Sequence, residues 1–271
     1  MSTGTGTTVP VRAPRPAAPQ PPPAAADGGG AWSLLLRLAR EEDPGAVAAA
    51  LARHAGDPLV QRYARLLAAG RTGVVAQLGQ SLDGCIATAG GDSAPVTGEA
   101  DHEHLHRLRA LVDAVVVGPG TVHHDDPRLT VRAVPGPDPR RVVLDPAGRL
   151  RDRALLRDPA TLWFTQCPVD SPGAQVVVLD VGAGPGEVLA VLREHGLRRV
   201  LVEGGGRTVS QWVDAGVVDR LFLTIAPLII GRGGRRGLAL PDVEPLSACR
   251  RPPVHRHVLG EDVCWELDLR A

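Results

Sequence analysis

The stretch VVVGPGTVHHDDPRLTVR, residues 115–132, decides the fold. Val115, Val116 and Val117 form an apolar β-branched run with the composition of a buried strand. The run opens into Gly118-Pro119-Gly120-Thr121. Asp125 and Asp126 follow, and Pro127 stops the segment. Downstream, Val200 to Val202 ends in Glu203 and three glycines, Gly204, Gly205 and Gly206. Two strand ends that each open into a glycine turn predict an α/β protein. Its phosphorylated ligand would bind at the carboxyl edge of the sheet.

Working outward, strands are expected at 74–78, 114–117, 141–144, 162–165, 176–179, 199–203 and 221–226. Helices are expected at 98–111, 186–195 and 208–215. Alternating strands and helices imply a mainly parallel sheet with right-handed crossovers. Residues 221–230 and 263–269 have no obvious helix between them, which predicts an antiparallel finish. In the first helix Thr97 is the expected cap and Glu99 and Asp101 suit the positive end. Leu105, Leu108 and Val112 mark its apolar face.

Residues 1–30, rich in Pro, Ala and Gly, have too little apolar surface to order themselves and read as a disordered tail. Residues 31–71 read as a helical extension. Trp32, Leu35, Leu36 and Leu38 begin an apolar face, and Asp43-Pro44 and Asp57-Pro58 each pair a cap with a first-turn proline. This extension is expected to pack on the main domain, residues 72–271.

Composition removes several function classes. With 44% hydrophobic residues but only 3% aromatics, the core must be aliphatic. Thirty basic and thirty acidic residues balance, which argues against nucleic acid or a membrane surface as the partner. The chain has no lysine. Schiff-base chemistry and a Walker-type phosphate loop are therefore excluded. Cys85, Cys167, Cys249 and Cys264 form no C-x-x-C pair, so neither zinc nor a disulfide framework is signalled. Reduced thiols, no apolar run of spanning length and no apolar signal core predict a cytoplasmic protein.

In the glycine turns, backbone N–H groups at a helix start suit a phosphate, with Thr121 adding a hydroxyl and Asp125 accepting from ribose or amide groups. Asp125-Asp126-Pro127 also has an ordinary use as a turn stop. His102 and His106 share a helical face and His104, His123 and His124 lie nearby. The expectation is a solvated polar face and no metal. Ser81 and Asp83 lack a histidine at a diagnostic spacing, against a serine hydrolase. Arg109, and Arg132 at the end of the strand-like stretch 129–132, suit bidentate binding of a phosphate, although a surface salt bridge is the expected use of either residue alone.

In order along the chain stand 78-LGQSLDG-84, 91-GDS-93, Leu108-Arg109, 113-DAV-115, 118-GPGT-121, 125-DDPRLTVR-132, 202-VEGG-205, 225-IAP-227 and Gly231. The series resembles the reductase domain of the bifunctional riboflavin-biosynthesis deaminase–reductase, within the dihydrofolate-reductase-like superfamily. The resemblance runs from about Thr72 to the C-terminus. It implies a three-layer α/β fold and NADPH-dependent reduction of 5-amino-6-(5-phosphoribosylamino)uracil, with hydride delivered to ribosyl C1′. By the same resemblance, Gln77, Ser93, Arg109, Leu129, Arg132 and Glu203 fall on substrate-contacting positions. Gly79, Ser81, Thr121, Asp125 and Gly205, Gly206, Arg207, Thr208, Val209, Ser210 and Gln211 fall on cofactor contacts. Asp126 and Glu203 are the candidates for moving the proton. A homodimer is implied, with residues 221–230 as a suitable interface or an internal strand.

The chain departs from the family pattern at three positions. Gln77 stands where the bifunctional enzymes usually carry lysine, Pro95 where a tryptophan often lines the cofactor, and Pro146 where a hydroxyl residue contacts NADP. No deaminase zinc motif occurs. Reduction of another heterocycle, such as a pterin or folate-like compound, and non-catalytic nucleotide binding are the rival readings. Arg140 and Arg141 are candidate donors to a 2′-phosphate.

Overall fold

The computed structural model describes residues 30–40, 44–68, 72–92 and 95–270. The expected tail, the Asp43 cap and the candidate Ser93 lie outside these residues. In chain order the described elements are α1 (Ala31–Ala39), α2 (Pro44–Ala52), α3 (Pro58–Ala68), β1 (Gly73–Ser81), β2 (Cys85–Ala87) and α4 (Glu99–Ala110). There follow β3 (Ala114–Val117), α5 (Pro119–Asp125), β4 (Arg140–Leu144), β5 (Thr161–Thr165), β6 (Gln175–Val178) and α6 (Pro185–Glu194). The chain closes with β7 (Arg199–Val202), α7 (Gly206–Asp214), β8 (Arg220–Ala226), β9 (Arg235–Arg236), β10 (Val254–Leu259) and β11 (Asp262–Asp268).

Nine strands make one sheet in the order β10-β11-β8-β1-β7-β3-β4-β5-β6. From β8 to β6 every pairing is parallel. Only β11 and β10 add antiparallel pairings. The expected antiparallel finish is present: β11 pairs antiparallel with β8, while β8 joins β1 in parallel on its other side. The residues of β8 are internal to the sheet, while Leu228 and Ile229 beyond it are exposed. β10 was not anticipated. Its residues Val254 to Val258 are half-buried or exposed, so no burial alternation marks an edge strand that only tertiary pairing defines.

The alternation of side chains divides the interior in two. On one face Val75, Val115, Val117, Val143, Leu201 and Phe222 share a cluster with Leu108 and Leu111 of the α4 segment and Val122 of α5. On the other, Val74, Ala76, Val116, Val142 and Val200 pack with Leu189 and Leu192 of α6 and Val209 and Trp212 of α7. The result is three layers, helices over both faces of the sheet.

The N-terminal helices join the first cluster through Leu34, Leu35, Val47, Tyr63 and Leu66. Polar contacts tie them down, among them two to the sheet. Arg199, buried at the start of β7, donates to the carbonyls of Ala39 and Leu111 and so satisfies the ends of α1 and α4 together. Arg65 of α3 reaches Glu266 of β11 at 3.1 Å. Asp57 accepts from the Leu59 N–H at 2.7 Å, consistent with its reading as a cap.

Three local expectations change. Gly98, not Thr97, is the N-cap of α4, and no side chain caps it. Gly118 to Asp125 is not a bare turn: Gly118 caps α5 and Pro119 supplies its first turn. Residues 129–132 are not strand-like. They pair with no strand, and Leu129 is held left-handed at φ 56°.

Candidate active site

Adjacent strands β3 and β7 end side by side, and their connections leave to opposite faces: α5 enters the α4 layer, α7 the α6 layer. In open α/β sheets such a divergence at the carboxyl edge is where ligands bind. The two glycine turns interlock across it. Thr121 Oγ1 accepts from the Gly205 N–H at 2.8 Å. A Cβ at Gly204, which sits at φ +106°, would stand 2.6 Å from Thr121 Oγ1, and one at Gly118 would collide with Thr208 Oγ1. Glycine is required at both positions by close approach, and at Gly204 by backbone conformation as well.

Gly118 and Gly205 are the N-caps of α5 and α7, and neither helix start has a side-chain cap. Two uncapped helix starts bridged by Thr121 present backbone N–H groups and positive potential together. A Cβ added at Gly120 meets nothing within 4 Å, so the surface there is open. These features fit the pyrophosphate of a dinucleotide.

Further along α7 the candidates diverge. Arg207 and Gln211 are exposed and Thr208 is buried. Val209 is fully buried in the core with Trp212. Ser210 accepts from the Ala239 N–H at 2.9 Å. Gly206 lies under the carbonyl of Gly237, where no Cβ fits. Arg140 and Arg141 begin β4 at the amino edge of the sheet, where Arg141 pairs with Asp158 and Arg140 with Gln175.

On the α4 side, polar groups are buried and paired. Glu203 follows the last β7 residue, Val202, which pairs with Ala76. Glu203 and Gln77 are thus the next residues on neighbouring strands, and alternation turns both toward α4. Arg109 of α4 grips Glu203 with two N–H groups, Nε to Oε2 at 3.0 Å and Nη2 to Oε1 at 2.6 Å. Its Nη1 donates to the Thr130 carbonyl at 3.1 Å. Both side chains are under a tenth exposed, 7% and 5%, so each neutralises the other where an unpaired charge would be costly. Arg109 is first a holder of Glu203 and of the 127–132 segment.

Gln77 Nε2 donates to Asp101 Oδ2 at 3.3 Å, and Thr224 donates to Asp101 Oδ1 at 2.6 Å. Burial raises the pKa of Asp101, and Asp262 adds to the rise, against the hydroxyls of Thr224 and Thr97. From sequence Asp101 is read only as suiting the positive end of the α4 dipole. It belongs also to the series Asp101, Leu105, Leu108, Val112, whose helical spacing was the signal that it faces inward. Gly79 on the same strand face lies under Thr97, whose methyl would be 2.7 Å from a Cβ.

Only part of the histidine group is solvated: His123 and His124 on α5 are exposed. His102 is exposed, but His104 and His106 are fully buried. Burial and the flanking Arg109, His102 and Arg132 push His106 down to about 3. Neutral His106 accepts the Arg132 N–H at Nδ1, 3.1 Å away. The backbone of Arg132 is thereby fixed while its side chain is exposed beside Arg109 and His102.

The remaining candidates serve local structure. Asp126 ends α5 in the left-handed region and its carboxylate accepts from the Ala154 N–H at 3.0 and 3.1 Å. Asp125 is exposed on the last turn of α5. Ser81 donates to Asp83 and accepts from the Cys85 N–H. Asp83 in turn accepts from the N–H groups of Ile230 and Gly231. The Ser81 hydroxyl and those amides lower the Asp83 pKa to about 2. This clasp fixes the turn after β1 to the segment after β8.

Residues 72–264 match the RibD C-terminal domain family. This chain belongs to that family. It is 34% identical over 215 residues to the 2,5-diamino-6-ribosylamino-4(3H)-pyrimidinone 5′-phosphate reductase of Methanothermobacter thermautotrophicus, spanning 73% of this chain and 98% of that one. It is 35% identical over 195 residues to the riboflavin biosynthesis protein RibD of Aquifex aeolicus, spanning 68% of this chain but 54% of that protein. Among solved structures, Acinetobacter baumannii RibD aligns with a TM-score of 0.66 at 25% identity, over 77% of this chain and 62% of that one. The riboflavin biosynthesis reductase Rib7 of Saccharomyces cerevisiae aligns with a TM-score of 0.64 at 19% identity, over 78% and 99%, a likeness of fold alone. The RibD C-terminal match begins at residue 72, so α1, α2 and α3 stand outside it.

Proposed function

We propose that this chain is a reductase of riboflavin biosynthesis that reduces the ribosyl group of a ribosylaminopyrimidine 5′-phosphate to the ribityl group, with NADPH as reductant. The observation that carries the reading is the juxtaposition at one sheet edge. The Arg109–Glu203 pair and Gln77 lie on one side, and the bridged glycine turns lie next to them.

NADPH supplies the hydride; the protein supplies orientation. Gly118, Thr121, Gly204 and Gly205 form the phosphate cradle, and exposed Arg207 is the candidate partner for the 2′-phosphate. Glu203, aimed by Arg109, keeps acceptor capacity for a substrate hydroxyl or amine and is the candidate for moving the proton at the sugar. Asp126 and Ser81 take positioning roles, since their polar atoms are engaged inside the fold. Arg132 meets the phosphate tail, with Leu129 shaping the pocket floor.

Two pyrimidines suit this reading, 5-amino-6-(5-phosphoribosylamino)uracil and its 2,5-diamino counterpart. The archaeal relative, named for the diamino compound and matched over nearly its whole length, favours the second. The proposal includes a cytoplasmic homodimer. β8 is internal, so the contact must use other surfaces, such as the edge strand β10 with exposed Val254 and Val258. Among the described residues no helix is long and apolar enough to cross a membrane.

The test is NADPH oxidation by the full chain with each pyrimidine, phosphorylated and dephosphorylated. Turnover with at least one phosphorylated form and a higher KM without the phosphate are expected. NADPH binding with no turnover of either would overturn the proposal in favour of a nucleotide-binding protein.

A further inference from the structure

The segment between α5 and β4 carries Leu129 and Arg132 and has no regular structure. Leu129 is held left-handed at φ 56°, a strained conformation for a non-glycine residue that persists only where its surroundings over-determine it. Four side-chain bonds hold this backbone. Arg109 donates to the Thr130 carbonyl, and His106 accepts from the Arg132 N–H. Asp138 accepts from the Val131 N–H at 2.6 Å. The fourth comes from outside residues 72–264: Trp32 Nε1 donates to the Pro135 carbonyl at 2.8 Å.

The contact is more than one bond. Gly136 is pinned between two helices: a Cβ there would stand 2.5 Å from Ala110 Cβ of α4 and 3.6 Å from Leu36 Cδ2 of α1. Trp32 is itself held. The Tyr63 ring meets it edge-on, with centroids 6.0 Å apart, and the Arg107 guanidinium of α4 lies 5.8 Å from its ring centroid. Tyr63 closes the circuit with a buried 2.6 Å bond to His104 of α4. The extension thus grips α4 at one end and the segment facing α4 at the other.

We propose that the N-terminal helices are a working part of the substrate site, and that Trp32 is a positioning residue that holds residues 127–138 against α4. The role of the segment in binding substrate rests on the function proposed above; the clamp itself does not. With the clamp in place, the backbone that presents Leu129 and Arg132 is ordered before substrate arrives. Without it, binding must supply that ordering. Neither Glu203 nor the glycine turns are touched, so substrate affinity should change while the chemical step and cofactor binding stay as they were.

The test is Trp32→Phe in the full chain, which keeps a ring against Tyr63 and Arg107 but deletes the N–H donor. Leu36→Ala serves as a second variant that loosens the packing over Gly136. Backbone amide exchange of residues 128–138 should quicken in both. KM for the phosphorylated pyrimidine should rise about 3- to 10-fold, the equivalent of one hydrogen bond. kcat and the NADPH Kd should stay within about twofold, the pattern of lost uniform binding. Unchanged exchange in both variants overturns the clamp. Quickened exchange with unchanged KM overturns its service to the substrate. A wild-type chain that turns over neither pyrimidine sinks the proposed function instead, and exchange still decides the clamp.

Discussion

The glycine turns and the inner face of α4 flank the same sheet edge, yet they are built differently. The turns are made of backbone. Their function resides in helix starts, and their side chains matter mostly by being small enough to let Thr121 and Thr208 approach. The α4 face is made of side chains, each bonded to a group distant in the chain: Arg109 to Glu203, Asp101 to Thr224, His106 to Arg132. A backbone site fails when bulk is added. A side-chain site fails when one partner is removed, because the other is left buried and unpaired. Each variant below is chosen to break one construction and spare the other.

The largest effect belongs to Arg109→Ala. It strands Glu203, 5% exposed, and the loss of one partner of a buried pair costs about 3–5 kcal/mol. Urea unfolding should show that loss, and turnover should fall with it. Arg109→Met combined with Glu203→Leu sharpens the point, since apolar replacement of both partners recovers most of the stability. Turnover should stay lost. A double variant that recovers activity along with stability would show that the pair is architecture only.

Next comes added bulk in the turns. Gly118→Ala drives a methyl into Thr208 Oγ1 and should cost about 1–3 kcal/mol, with weaker NADPH binding by titration. Gly120→Ala, two residues on, meets open space and should leave stability within about 0.5 kcal/mol. Equal losses at both positions would mean that bulk is not what the first turn resists.

The same contrast explains what could be read from sequence. Strand ends such as Val117-Gly118 and Val202-Glu203 announce themselves locally, since an apolar run meeting glycine is visible in a few residues. The parallel sheet followed from the alternation alone. Asp101, His104 and His106 did not, because a charged residue in the first turn and a run of histidines read as solvated until something shows what covers them. Tyr63 and Phe222 cover His104, and neither is near it in sequence. The sequence offers Arg109 as a phosphate anchor or an ion-pair partner; that its partner is Glu203, 94 residues away, was not legible. Pro119 after Gly118 did signal a helix start, but seven residues with a glycine in the second position were too short to outweigh the turn reading.

Thr121 is where the two constructions meet, a side chain that holds backbone. Thr121→Val keeps the shape and removes the acceptor of the Gly205 N–H, at a cost of about 1 kcal/mol. Thr121→Ser should be close to neutral. Thermal melts of both with and without NADPH check this. If cofactor raises the melting temperature of the valine variant as much as that of the wild type, the bridge is not part of the cradle.

The smallest effect is a pH slope, and it distinguishes two carboxylates shifted in opposite directions. Asp83, in the clasp after β1, has its pKa lowered to about 2 by the Ser81 hydroxyl and two amides. Its contribution is complete above the ordinary value of 3.8 and is lost as pH falls through the folded value. Asp101, under α4, has its pKa raised, first by burial and then by Asp262. Its folded form holds the proton more tightly than the unfolded chain, so its ionisation counts against the fold progressively as pH rises above 3.8. Denaturant midpoints of the wild type, Asp83→Asn and Asp101→Asn across the acid range separate the two. Relative to wild type, Asp83→Asn should be at its greatest disadvantage above 3.8 and lose it on acidification. Asp101→Asn should gain on wild type as pH rises through the same region. The asparagine also turns an amide donor toward Gln77 Nε2 or Thr224, so any change in KM in that variant reports on the orientation of Gln77. A common slope in both variants would mean that the polar floor under α4 is wet, and that the side-chain half of the site is as open to solvent as the glycine half.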